Sequence, residues 1–349
     1  MKQIQRNRFS YMAVIILSVL LMVSCESVLF IELEESDKLI VVNGAFGHDS
    51  IVAVQVSRTR HILDNAPLVP LENATVMFYR DGSLLEQLEY MGNGRFQSDA
   101  FISMAGEQYS LEVENQGYPS VSATCEIPEA VEIASVDTST VTEDLGNMYY
   151  SHMQELFHID VSLEDPAGEE NYYMITSRAD RSATEYRDTT VLVLDSLFQN
   201  GKWYPYVKDS TYTISEIFRF TDDVHIGSED LIVEAITQDG ILFSDQLIDG
   251  KEYSVRVTTW TDNMMSADSA IVEVRLHSIS ESYYKYLKSR QNHYESVDDY
   301  LSVPVIVYTN VEGGTGFLGG YSTDVYSFTT FIPEYYEEYW YYEYDGPFP

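Results

Sequence analysis

The sequence predicts a mostly β protein: an N-terminal immunoglobulin/transthyretin-like β-sandwich, then a larger β-rich domain with one helix. Three observations carry this. Apolar residues fall in short alternating or continuous runs, such as Thr75–Arg80 and Val121–Ile127. Between the runs stand pairs that supply the left-handed residues of tight turns: Asp81-Gly82, Gly92-Asn93-Gly94, Asp239-Gly240 and Asp249-Gly250. Helical periodicity is convincing at one place, Ser280–Tyr294.

The chain opens with a leader. Lys2, Arg6 and Arg8 precede an apolar run from Tyr11 to Val23, and residues 1–24 contain no acid. The run is too short for a comfortable bilayer span of about 20 residues and suits the core of a signal peptide. It ends in Met22-Val23-Ser24-Cys25, an order that resembles the bacterial lipobox, so residues 1–24 are expected to be a lipoprotein signal peptide. Cys25 then carries a diacylglycerol thioether and acyl (palmitate-type) chains that hold the protein in a membrane. Each buried methylene contributes about 0.8 kcal/mol, so two or three chains give a stable anchor. Residues 25–38 follow as an acidic tether, with acids at 26, 32, 34, 35 and 37.

Residues 39–128 form the first β domain. Strands are expected at Leu39–Phe46, Ile51–Ser57, Thr75–Arg80, Leu84–Met91, Arg95–Ser98, Gln108–Val113 and Val121–Ile127, a density typical of a sandwich. Pro128 closes it. With Cys25 lipidated, Cys125 has no partner for a disulfide, and it shares one strand face with Val121, Ala123 and Ile127. It reads as a small buried apolar residue rather than a reactive thiol.

Residues 129–330 form the second domain, with strands at Phe157–Leu163, Tyr172–Thr176, Thr189–Leu194, Tyr212–Phe220, Leu231–Thr237, Tyr253–Trp260 and Ile271–His277. In the helix Ser280–Tyr294, Ser278 and Glu281 have capping-box spacing, and Tyr283, Leu287, Arg290 and Tyr294 line one face. A strand at Val303–Asn310 and a glycine-rich loop at Gly313–Gly320 are expected after it. The tail, 331–349, packs six tyrosines, one tryptophan and five acids into Glu334–Asp345. Its aromatics Tyr335, Tyr336, Tyr339, Trp340, Tyr341 and Tyr342 are candidate partner-binding residues, because such rings give contact area at low entropic cost.

Charge excludes whole classes of partner. The chain has 20 Lys and Arg against 56 Asp and Glu. Loss of residues 1–24 removes Lys2, Arg6 and Arg8 and no acid, which leaves 17 basic residues and a net charge near −39. Nucleic acid and anionic lipid surfaces are repelled by such a field.

Motifs of catalysis or cofactor binding fail on inspection. Gly314-Thr-Gly316-Phe-Leu-Gly319 has the dinucleotide spacing, but the residues after it are β-like, and the fingerprint needs a helix there. His152 and His158 could share a strand face with Asp160, yet the helical zincin pattern is missing. Asp222, Asp223, Ser228, Glu229 and Asp230 are candidates for a ring around a hard cation, in an order that fits no EF-hand. No nucleophile elbow is present. The expectation is no enzyme, no cofactor and no resident metal. Asp49-Ser50-Ile51, Asp195-Ser196-Leu197 and Asp268-Ser269-Ala270 resemble an O-glycosylation sequon of exported Bacteroidota proteins.

Five segments in fixed order carry a family resemblance: Lys38-Leu-Ile-Val-Val-Asn-Gly44, Phe243-Ser-Asp245 with Asp249-Gly250, Ile279–Leu287, Pro304–Asn310 and Gly313–Phe317. From about residue 25 to 330 the chain resembles the Bacteroidota outer-membrane lipoprotein family of domain-of-unknown-function 4249. The resemblance implies an outer-membrane lipoprotein encoded near TonB-dependent transporters and brings no catalytic residues. The acidic tether resembles the signal for surface display. The functional expectation is a non-enzymatic accessory of a TonB-dependent transporter, acting in substrate capture or uptake. The alternative is a cell-surface structural or adhesion lipoprotein.

Overall fold

In the computed structural model the described residues are 37–61, 64, 67–144, 153–199, 202–260, 269–298, 303 and 305–331. The leader with Cys25, the tether up to residue 36, and the tail from residue 332 lie outside them. The chain is mostly β, with several sheets and, among the described residues, one α-helix. Among the same residues no helix is long and apolar enough to cross a membrane.

The first stretch supplies β1 (Ile40–Gly47), β2 (Ile51–Arg58), β3 (Val69–Pro70), β4 (Thr75–Arg80), β5 (Ser83–Gln87), β6 (Glu89–Gly92), β7 (Arg95–Ile102), β8 (Gln108–Glu114) and β9 (Val121–Glu126). The expected strand Leu84–Met91 is split in two at Leu88, whose side chain turns inward and is buried. Strands β1, β2, β7 and β6 lie side by side, and β9, β8, β4 and β5 form a second sheet. The two sheets share one core. Val42, Val54 and Phe96 come from the first, and Phe78, Tyr109 and Leu111 from the second, all essentially inaccessible. Phe78 stacks on Tyr109 at 5.3 Å and meets Phe46 edge-on at 5.9 Å. Full burial of each such side chain contributes about 1.5–3 kcal/mol. Cys125 is buried beside Val121, Ala123 and Ile127 as expected, and burial pushes its thiol pKa up.

The later stretch supplies β10 (Ile133–Asp144), β11 (Met153–Glu164), β12 (Tyr172–Gln199), β13 (Lys202–Val224), β14 (Val233–Ile236), β15 (Ile241–Ser244), β16 (Glu252–Trp260), β17 (Ser269–Ile279), α1 (Glu281–Asp298), β18 (Val311–Glu312) and β19 (Thr315–Phe331). A large sheet runs β14-β15-β12-β17-β19-β1-β2-β7-β6, so strands from both sides of residue 128 share it. The join is the parallel pair β1–β19, from Val41↔Thr315 to Gly47↔Tyr321. A three-stranded sheet, β10-β11-β16, packs its apolar side on the large one. Ile159, Val161, Val255 and Val257 there meet Ile175, Val272 and Val274.

Three sequence expectations are corrected. Val303–Asn310 is not a strand; its described residues are irregular, and Asn310 instead hydrogen-bonds the backbone of Leu318 with both ends of its amide, at 2.8 and 2.9 Å. The glycine-rich run is a loop only at Gly313 and Gly314; from Thr315 to Gly320 it is the start of β19, where its glycines serve close approach. A Cβ on Gly316 would stand 2.0 Å from the Val42 carbonyl oxygen, and one on Gly320 2.2 Å from that of Glu126. Helix α1 is capped by Ser280, not Ser278. The Ser280 Oγ accepts from the Tyr283 N–H, whereas the Ser278 Oγ accepts from Val131 N–H. The helix face shifts accordingly: Tyr284 and Leu287 are buried, while Tyr294 is exposed.

Strands β12 and β13 were also underestimated. They pair without interruption from Ser177↔Val224 to Gln199↔Lys202. Strand β17 accompanies β12 only as far as Ser182. Beyond it the two strands continue as a ribbon, on the order of 55 Å long at about 3.4 Å per residue.

Candidate functional site

The outer face of the three-stranded sheet is built by strict alternation. On β11, Phe157, Ile159, Val161 and Leu163 turn to the core, which leaves Leu156, His158, Asp160 and Ser162 on the other side. On β16, Val255 and Val257 turn inward and Ser254, Arg256, Thr258 and Trp260 outward. Pairing assembles these into rows: Asp137, Asp160 and Arg256; Ser139, His158 and Thr258; Val141, Leu156 and Trp260. One end of the face is therefore apolar and the rest polar.

A wall rises along the free side of β16. Gly227 and Thr258 exchange backbone hydrogen bonds of 2.7 and 2.8 Å. Asp230 fastens the segment by accepting from the Tyr253 hydroxyl at 2.7 Å and the Ile232 N–H at 3.3 Å. That bond to a carboxylate raises the Tyr253 pKa. Wall and face enclose an open groove of about 1170 Å³. Within it the Arg256 guanidinium grips both oxygens of Asp160, at 2.7 and 2.8 Å, and the carboxylate raises the arginine pKa further. The His158 Nδ1 lies 2.9 Å from the Thr258 hydroxyl. Asp137, Glu143 and Glu229 stand exposed around the groove, and Trp260 is 53% exposed. Such a surface can hold a ligand by ring contact and by charge.

A second acidic group lies at the opposite ends of these strands. Oxygens of Asp165, Asp245 and Asp249 all fall within 4.8 Å of one another, and the first two residues are buried. Asp165 accepts from the Tyr173 hydroxyl at 2.5 Å and from Gly250 N–H at 2.9 Å. Asp245 accepts from Asn171 N–H at 2.9 Å, and Asp249 from Gly168 N–H at 2.8 Å. Burial first, then the charges of Asp165 and Asp249, raise the Asp245 pKa. Four of the six carboxylate oxygens are thus occupied by protein donors, whereas calcium wants six to eight oxygens. The arrangement is a hydrogen-bonded knot that ties the start of β12 to the turn before β16.

Sequence-predicted residues fall as follows. Cys25, Tyr335, Tyr336, Tyr339, Trp340, Tyr341, Tyr342 and His152 lie outside the described residues. Asp222 pairs with Arg181 at 3.3 Å and Asp230 fastens the wall, so the acids from 222 to 230 do not converge on one cation. Gly314–Gly319 lies in and just before β19, not at a helix N-terminus. The groove was missed because its rows form only when β10, β11 and β16 pair, across about 100 residues of sequence. The one legible signal was the polar alternation His158, Asp160, Ser162.

The family described as Domain of unknown function (DUF4249) matches residues 26–327. The chain belongs to this family. The segments that carry its DUF4249 character converge on the framework. Phe317 stacks on Tyr286 at 3.7 Å and Tyr283 at 5.6 Å, Ser280 holds the Gly320 N–H, and Asp245 and Asp249 make the knot. Among curated proteins, none matches this DUF4249 chain in sequence. Among solved structures, the Clostridium perfringens NetB toxin in its membrane-inserted form aligns at 6% identity over 60% of this chain and 85% of that one. The TM-score is 0.14, too slight to bear on fold or activity.

Proposed function

We propose that this DUF4249 protein is a non-enzymatic lipoprotein of the Bacteroidota outer membrane, held by lipid on Cys25 and accessory to a TonB-dependent transporter in substrate capture or uptake. The observation that carries this reading is the walled, acidic groove on the outer face of β10-β11-β16, with Trp260 and the exposed acids Asp137, Glu143 and Glu229 around it. In this reading the first two sheets are an immunoglobulin/transthyretin-like sandwich that stands next to the membrane, joined to the lipid by the acidic tether. The tether directs the protein to the cell surface, and the tail aromatics from Tyr335 to Tyr342 dock on the transporter.

Mass spectrometry of the membrane-extracted protein tests the anchor. The expected mass places Cys25 at the N-terminus with its lipid, and a Cys25→Ser variant is expected in the soluble fraction. An unlipidated chain that still begins at Met1 contradicts the reading. A second reading, a cell-surface adhesion protein, is favoured by the β12–β13 ribbon, whose reach suits contact with a distant surface.

A further inference from the structure

Strand β10 is an edge of its sheet. It spans twelve residues, Ile133–Asp144, and among the described residues only β11 pairs with it. Among the described residues, the other side of the strand from Ser135 to Glu143 has no paired strand and is an open template; before that stretch the Ile133 N–H donates to Asp324 of β19 at 2.7 Å, and after it Asp144 has a partner of its own. Edges of this length are commonly blunted by lysine, proline or a bulge, and the one irregularity of β10 lies at its start, between Ile133 and Ser135. Here the sequence from Ser135 to Asp144 is Ser-Val-Asp-Thr-Ser-Thr-Val-Thr-Glu-Asp, rich in β-branched residues with no lysine and no proline. Its pairing with β11 is regular from Ser135↔Ser162 onward.

Charge selects the occupant. Asp137, Glu143 and Asp144 lie in the strand and Glu132 just before it, with no basic residue among them, on a protein of net charge −36. A second copy would bring the same acids against these and be repelled. We infer that the free edge of β10 receives an extended, basic segment of a partner protein as an added strand, alternate side chains lying beside Asp137, Val141 and Glu143 on the groove side. This rests on the capture reading and names its chemistry. Backbone pairing gives such a complex its hold, and the alternate side chains give it preference.

The test is binding of a synthetic peptide of about nine residues, alternating lysine with valine and threonine, to the full chain in detergent. Three companions are run: a glutamate-for-lysine peptide, the basic peptide N-methylated at alternate amides, and an Asp137→Lys/Glu143→Lys protein. The basic peptide is expected to bind and to slow amide exchange across Ser135–Asp144. The acidic and N-methylated peptides are expected to fail, and the charge-reversed protein to bind about tenfold more weakly. Equal binding of the N-methylated peptide overturns strand addition. Slow exchange in β10 without peptide, lost on truncation at Ile332, assigns the edge to the chain's own tail and also overturns the inference. A transporter recovered with the native protein while no peptide binds overturns this inference and leaves the accessory reading standing.

Discussion

His277 lies in the middle of the large sheet, its Nε2 3.0 Å from the Thr176 hydroxyl and its Nδ1 2.7 Å from that of Thr323. Burial, with Arg275 nearby, lowers its pKa to about 4. An unfolded histidine titrates near 6.5, so between about pH 6.5 and 4 the unfolded chain binds the proton and the folded one does not. Stability therefore falls as pH drops through that window, by up to roughly 3 kcal/mol from this one group. His277→Gln is expected to flatten the pH dependence of the unfolding midpoint between 4 and 6.5; an unchanged slope contradicts the assignment. Asp245 has the opposite sign. Its raised pKa means that stability is lost as pH rises through the folded value. Asp245→Asn keeps an acceptor for Asn171 N–H, so it is expected to match or exceed the native stability at pH 7 by urea titration. Gly316 is a third case: its φ is +111° and its Cβ position is filled by the Val42 carbonyl. Gly316→Ala is expected to cost about 3 kcal/mol or more, read as the shift in denaturant midpoint.

At the scale of elements, the short strands were legible because one-sided burial writes a period of two into the sequence, as in Gln108–Glu114 with Tyr109, Leu111 and Val113 inside. Strand β12 was legible only as the two pieces Tyr172–Thr176 and Thr189–Leu194, because the polar stretch between them carries no such period; pairing with β13, reinforced by the Arg181–Asp222 ion pair, makes it continuous. Strand β10 was missed for the same reason, since most of it is exposed. Glycine misled in the other direction. Gly313–Gly320 suggested a loop, but long-range contact with Val42, Tyr283 and Glu126 demands Gly316, Gly319 and Gly320 within β19. The ribbon of β12 and β13 beyond Ser182 pairs with no third strand among the described residues. Replacing Ala183–Phe218 by a two-residue turn is expected to leave cooperative unfolding of the remainder intact. Loss of the folded state, seen by circular dichroism, contradicts that independence.

For the whole molecule, composition showed the acidity and the alternating runs showed the β class, whereas the groove needed three strands brought together from distant sequence. The acids of the chain divide into two kinds. Asp165, Asp245 and Asp230 are consumed by backbone and hydroxyl donors, while Asp137, Glu143 and Glu229 face solvent around Trp260. Only the second kind is available to a ligand, and sequence could not separate them. The most direct measurement of the accessory role is gentle detergent extraction of the tagged protein from native membranes, followed by mass spectrometry of what comes with it. The account predicts a stoichiometric outer-membrane transporter, whose own substrate then names the captured ligand. Clean recovery of the protein alone, from several detergents and after chemical cross-linking, contradicts it.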